Sequence, residues 1–221
     1  MSVIMEQKAI LVVSHEYRRA KRMCDFVLAL IGILLLSPVF LIVALMIKLD
    51  SPKEKVIFVQ TRTGLRNEPF SIFKFRSMRK SNQPGGARKH VYDWENGVPD
   101  DFVFKSVSGN DPEVSPIGAF VRKFSLDELP QLFNVLRGDM SLVGPRPEIP
   151  AITDLYSRAQ QTRLLVKPGV TGWAQVNGRS NMNHGQKMAL DSYYVQKLSL
   201  KLDIQIIGMT IKQVLTGKDA V

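Results

Sequence analysis

Cysteine is nearly absent from this chain: Cys24 is the single one in 221 residues. That excludes an internal disulfide and any cysteine-rich metal site. The three histidines, His15, His90 and His184, are scattered and lack zinc-ligand spacing. Acid is scarce relative to base. Thirty Lys and Arg face twenty Asp and Glu, a formal charge of +10. Such an excess suits an anionic partner: nucleic acid, acidic lipid headgroups or a phosphorylated substrate. No internal repeat and no second domain is evident, and the length suits one domain with a core.

Charge is missing altogether from Phe26 to Ile47, FVLALIGILLLSPVFLIVALMI. As a straight helix this run measures ~33 Å, enough to cross a ~30 Å hydrocarbon core. It is too long for a secretory signal and has no A-x-A-like site behind it. Buried helices of soluble proteins are rarely so uniformly apolar. Ser37-Pro38 lies near its middle. Proline removes a backbone donor and clashes with the carbonyl of Leu34, so a kink is expected, with Ser37 placed to satisfy a freed carbonyl. Both flanks are basic: five Lys/Arg against three acids over 1–25, nine against three over 48–80. The positive-inside tendency favours keeping both ends cytoplasmic. The residues alone leave a kinked span and a re-entrant helix both open.

The most informative stretch is Arg122 to Glu148, RKFSLDELPQLFNVLRGDMSLVGPRPE. Two adjacent acids, Asp127 and Glu128, stand among Arg122, Lys123, Arg137 and Arg146. Ionising both is costly unless a cation relieves the repulsion. Mg²⁺ is typically held by one or two carboxylates plus substrate phosphates, and arginine forks match phosphate oxygens. The plain alternative is a helix start. Ser125 and Glu128 fit the S-x-x-E capping box, apolar residues follow at helical spacing, and Gly138 is placed to end the helix. Pro130 just after the acids, and the rigid Gly144-Pro145-Arg146-Pro147 run that returns one arginine, favour a phosphate-handling site over a solvated surface.

At these residues the sequence resembles the bacterial sugar transferases, the monotopic polyprenyl-phosphate phosphoglycosyl transferases. KFRSM at Lys74–Met78 and KPGVTGWAQVNGR at Lys167–Arg179 extend the likeness, which runs from about Lys21 to about Leu215. Larger relatives carry a further multi-span N-terminal region; the likeness is to their catalytic part. The resemblance implies an α+β fold: a mainly helical cytoplasmic domain with a small β element, joined to a re-entrant membrane helix broken at Ser37 and Pro38. Residues 1–55 would form the basic segment and membrane helix, and 56–221 the catalytic domain, working as one unit.

The resemblance also implies an activity: transfer of a sugar-1-phosphate from a UDP-sugar to undecaprenyl phosphate, releasing UMP, at the cytoplasmic face of the bacterial inner membrane. Asp127 would be the covalent nucleophile, and Glu128 with Asp127 would hold Mg²⁺. Lys74, Arg76, Arg122, Arg146 and Arg179 would bind phosphate or nucleotide. The basic flanks would sit on anionic headgroups. A homo-oligomer stays open, as do the sugar and the final glycan. Two rival readings are a non-catalytic membrane-anchored assembly partner, which an intact acid pair and GPRP run argue against, and a nucleic-acid binder, which lacks any recognised motif.

Elsewhere the pattern is plainer. Val56–Gln60 and Phe70–Phe75 read as strands around a turn near Gly64. Residues 79–110 read as a long, partly ordered loop with Pro84-Gly85-Gly86. Ser115-Pro116 opens a helix with an apolar stripe of Ile117, Phe120, Val121 and Phe124. Ile149–Leu165 is a helix candidate. Gly169, Gly172 and Gly178 punctuate what reads as a loop delivering Arg179, either an ordinary connection or a nucleotide loop. Two helices close the chain, Gln186–Leu198 and Leu202–Leu215. Asp203 matches a family acid, and a helix-dipole role explains it equally well.

Overall fold

The computed structural model describes residues 15–79, 94, 96–103, 113–178 and 182–216. Helix α1, His15–Asp50, contains the apolar run and carries Pro38 inside it. A hairpin follows, β1 Ile57–Thr63 and β2 Pro69–Phe75, antiparallel with Ile57 opposite Phe75 and Thr63 opposite Pro69. Its turn near Gly64 uses left-handed backbone at Arg66 and Asn67. Then come α2 Pro116–Lys123, a 3₁₀ turn Leu126–Glu128, α3 Gln131–Arg137, β3 Ser141–Val143, α4 Pro150–Thr153, a 3₁₀ turn Gln160–Leu165, β4 Gly169–Thr171, α5 Trp173–Gly178, α6 His184–Gln196 and α7 Leu200–Thr216. The fold is mixed, largely helical, with two two-stranded sheets.

Local chemistry explains most boundaries. Ser115 Oγ accepts from the Gly118 amide at 2.9 Å and caps α2. Asn183 and Gln186 form a capping box on α6. Gly138, at φ 93°, ends α3 in the left-handed conformation that glycine adopts freely.

Two sequence expectations are corrected. Ile149–Leu165 is not one helix: α4 stops at Thr153, irregular chain follows, and a separate 3₁₀ turn runs Gln160–Leu165. The reason is tertiary. The Gln160 side chain bonds the Val98 amide and carbonyl at 3.2 and 2.6 Å, and accepts from the Ser157 amide at 3.1 Å. Residues 169–178 are not a loop either. They hold β4, parallel to β3, and helix α5. A Cβ on Gly144 or Gly169 would collide with the backbone of the facing segment, so these glycines let two chains pack closely. Of the long loop, 80–93, 95 and 104–110 lie outside the described residues. Val98 is buried against Ile152 and Tyr156.

Helix α1 lies along the rest of the molecule at both of its ends. Toward its start, Lys21 pairs with Asp203 at 2.7 Å, and Arg22 donates to the Val135 and Leu136 carbonyls at 2.5 and 2.8 Å. Asp25 accepts from the Leu142 amide at 3.1 Å, and Ala29 is buried. Beyond Pro38, Phe40 stacks obliquely on Phe75, and Val43 and Ile47 join Phe75 and Val121 in a buried cluster. Asp203, in the first turn of α7, is thus also a buried tie, bonded by the Tyr194 hydroxyl at 2.8 Å. Leu34, Leu35, Leu41, Ile42 and Leu45 are largely exposed. By length and composition α1 is able to cross a membrane. Ser37 Oγ donates to the Leu34 carbonyl at 2.9 Å, as the Ser-Pro pair suggested.

Candidate active site

The acid pair sits on the 3₁₀ turn between α2 and α3. The capping box expected at Ser125 does not form. Ser125 adopts left-handed backbone, φ 53° and ψ 24°, its hydroxyl caps nothing, and α3 starts only at Gln131, after Pro130. In a 3₁₀ turn, residues three apart eclipse each other. Leu126 and Leu129 share one side and pack on the Val43, Ile47, Phe75 and Val121 cluster. Asp127 and Glu128 are left to project elsewhere. The turn is held by its leucines, which leaves its acids for chemistry.

The two acids differ sharply. Glu128 Oε1 is gripped by Arg146 Nη2 at 2.8 Å and Lys74 Nζ at 3.1 Å. Burial alone would raise its pKa, but these two cations outweigh burial and hold the carboxyl well below its ordinary range. Asp127 makes no hydrogen bond or ion pair among the described residues. Burial raises its pKa first, and the neighbouring Glu128 charge raises it further. Lys74, Arg146 and Arg122 offset only part of this, leaving it at about 6. Environments that push two neighbouring acids apart assign them different work. Glu128 is a fixed anion that organises cations. Asp127 has no side-chain partner among the described residues, and its carboxyl is raised to about 6. In metal-free protein in detergent micelles, the Asp127 carboxyl carbon signal should titrate near pH 6. In Glu128→Gln, where the like charge is gone and both cations face Asp127, the midpoint should move down. An upward or absent shift would contradict this electrostatic picture.

Arg146 owes its position to its backbone. The Gly144 amide donates to Thr171 O at 2.9 Å, and the Gly169 amide donates to Pro145 O at 2.9 Å. Arg163 Nη2 donates to the Arg146 carbonyl at 2.7 Å. Arg163 is itself buried, 2.8 Å from Asp191 and bonded to the Tyr156 hydroxyl at 2.7 Å. A rigid loop with prolines on both sides therefore presents one arginine, its side chain half exposed, to Glu128.

Of the residues expected at the site, Asp127, Glu128, Lys74 and Arg146 come together. Arg122 is near enough to favour Asp127 ionisation, while its Nε bonds Ser77 Oγ at 2.9 Å. Arg76 is not brought to the acids. Its Nε donates to Lys55 O at 2.8 Å, and its Nη1 lies 3.4 Å from Glu54, tying the strand end to the chain leaving α1. Arg179 lies outside the described residues. The sequence reading missed Arg62, Arg163 and Asp191. Arg62 reaches Gln60 Oε1 at 2.8 Å, and its charge is influenced by Glu148, Arg146 and Glu128. A period-two reading of the hairpin would have found it, since Arg62 opposite Phe70 and Phe58 opposite Lys74 share one face. No local pattern marks Arg163 or Asp191, whose partners come from distant segments.

The fit to Mg²⁺ follows from the donor set. No group of three or more His, Cys, Asp or Glu able to hold a metal occurs among the described residues. Asp127 and the second oxygen of Glu128 are adjacent carboxylate donors. That is enough for Mg²⁺, which keeps waters and takes substrate phosphate oxygens, but not for a metal bound by protein alone.

The structure thus sets two adjacent acids, Glu128 clamped by Lys74 and Arg146 and Asp127 without a side-chain partner among the described residues, on a turn whose leucines pack against the long apolar helix. Residues 16–217 match the family model described as bacterial sugar transferase, and the chain belongs to that family. It is 38% identical to the uncharacterized sugar transferase EpsL of Bacillus subtilis (strain 168), over 90% of this chain and 88% of that one. It is 39% identical to the UDP-N-acetylgalactosamine-undecaprenyl-phosphate N-acetylgalactosaminephosphotransferase of Aeromonas hydrophila, over 91% of this chain and 45% of that one. It is 40% identical to the UDP-glucose:undecaprenyl-phosphate glucose-1-phosphate transferase of Escherichia coli (strain K12), over 92% and 42%. The chain thus spans less than half the length of the latter two.

Proposed function

We propose that this protein transfers a sugar-1-phosphate from a UDP-sugar to undecaprenyl phosphate and releases UMP. The observation that carries this is the split between the acids: a free Asp127 beside a Glu128 locked by Lys74 and Arg146. Asp127 attacks the β-phosphorus; the bond from that phosphorus to the bridging oxygen breaks, and UMP departs with the oxygen. An oxygen of undecaprenyl phosphate then attacks the phosphosugar-aspartyl phosphorus, and the Asp127 carboxylate is released. Arg146 and Lys74 favour phosphate charge near the reacting phosphorus, with Arg122 on the Asp127 side. Mg²⁺ held by Asp127 and Glu128 would supply neutralisation of the diphosphate. Asp127 would serve as a ligand only until it reacts. The relatives are named for different sugars at nearly equal identity, so overall similarity does not select the donor. UMP release with undecaprenyl phosphate across a panel of UDP-sugars tests the proposal. One efficient donor is expected, and turnover of none would contradict it.

The same reading places the protein on the inner face of the bacterial cytoplasmic membrane, with α1 re-entrant. Support comes from the ties at both ends of α1, from Lys21 and Arg22 to Val43 and Ile47. Residues 22–47 of a straight helix span ~38 Å. In a crossing helix one set of these ties would have to lie across the bilayer from the other. Cysteines introduced near positions 10 and 60 of a Cys24→Ser background should both resist an impermeant thiol reagent outside intact cells. Labelling at position 10 alone would mean a span. Pro38→Leu should favour the span, because it restores the missing backbone donor and removes the clash.

A further inference from the structure

An apolar groove of about 390 Å³ runs between α1, the hairpin and α3, walled by Phe40, Ile57, Phe73, Pro130, Phe133 and Leu136. Nothing in the chemistry above uses it. We propose that it holds the isoprene units of the acceptor nearest the phosphate, with the phosphate at the acid pair. This rests on the proposed function.

Three features favour that occupant. The first is continuity with the acids. Pro130, one wall of the groove, comes two residues after Glu128. The Pro130 edge of the groove therefore borders the turn that carries the acids. The second is continuity with lipid. Phe40 belongs to α1, whose neighbouring Leu41 and Ile42 are exposed, so the groove opens toward the medium that the apolar helix needs. The third is its lining. Phe40 and Phe133 meet edge to face at 5.8 Å, and Phe133 and Ile57 remain 43% and 37% exposed. Uncovered aromatic and branched walls beside a charged site suit an apolar chain with a charged head. The arginine at the rim, Arg137, lies over the Phe73 ring at 5.4 Å and pairs with Asp139 at 3.4 Å. It puts a cation at the groove's edge without placing a polar atom in its walls.

The test uses the whole chain in detergent and in nanodiscs. Ile57→Trp fills the groove from its exposed rim. The burst of UMP without acceptor should be unchanged, while KM for undecaprenyl phosphate rises about tenfold, the size expected from displacing roughly two methylene groups of burial. An unchanged KM would overturn the groove. In parallel, p-benzoylphenylalanine placed at position 133 should photocrosslink undecaprenyl phosphate in phosphatidylglycerol nanodiscs. Crosslinks to phospholipid alone, or to a second copy of the chain, would overturn it, and this readout holds even where Ile57→Trp fails to fold. A wild-type enzyme that gives no UMP burst but does crosslink undecaprenyl phosphate would contradict the covalent chemistry and leave the groove standing.

Discussion

Asp127→Asn should abolish turnover, with a loss on the order of ten-thousandfold or more, as for removal of a covalent nucleophile. An amide does not form the acyl phosphate. The fold should survive, because Asp127 makes no hydrogen bond or ion pair among the described residues and the turn is anchored by Leu126 and Leu129. Removing its charge also relieves repulsion with Glu128, so the melting temperature should stay level or rise slightly. Had the turn been an ordinary capped helix start, Asp127→Asn would cost at most ~1 kcal/mol and leave activity intact. Glu128→Gln separates the roles further. A capping position accepts glutamine. An anion shared by Lys74 and Arg146 does not, so this variant should slow the first step and weaken Mg²⁺ dependence. Single-turnover UMP release with thermal melts on the same samples checks both variants.

Arg146→Lys should reduce kcat/KM about a hundredfold, comparable to losing one preorganised donor to developing charge. The backbone at this position is fixed by bonds from Gly144, Gly169 and Arg163, so the side chain is replaced without moving the loop. A lysine has a single ammonium to divide between Glu128 and the substrate phosphate, where arginine offers a planar fork. The melting temperature should hardly change, since lysine keeps a cation beside Glu128 and the side chain is half exposed. Near-normal kinetics would reduce Arg146 to a structural partner of Glu128.

The helix carrying the apolar run, the hairpin and the acid pair were legible because each leaves a local mark. These marks are an uncharged 22-residue run, period-two alternation, and adjacent carboxylates before a proline. What remained hidden depends on distant partners. Ser125 looks like a cap by spacing, yet packing of Leu126 and Leu129 on α1 and β2 sets the turn instead. Gly169 looks like loop punctuation, but together with Gly144 it serves the close approach of two segments. Arg76 sits in the same basic motif as Lys74, yet it lies just past the end of β2, where Glu54 and the Lys55 carbonyl take it. The support beneath Arg146 is written in three places, at Tyr156, Arg163 and Asp191, and no window on the sequence contains all of them.

The covalent role of Asp127 is tested most directly by incubating purified enzyme with its UDP-sugar and Mg²⁺ but no lipid acceptor, then measuring UMP and intact protein mass. One equivalent of UMP should appear and then stop. The protein should gain the mass of one phosphosugar on the peptide containing Asp127, and undecaprenyl phosphate added afterwards should remove it. No UMP and an unmodified mass before acceptor is added, with turnover once it is present, would contradict the covalent route and point to direct attack by the lipid phosphate.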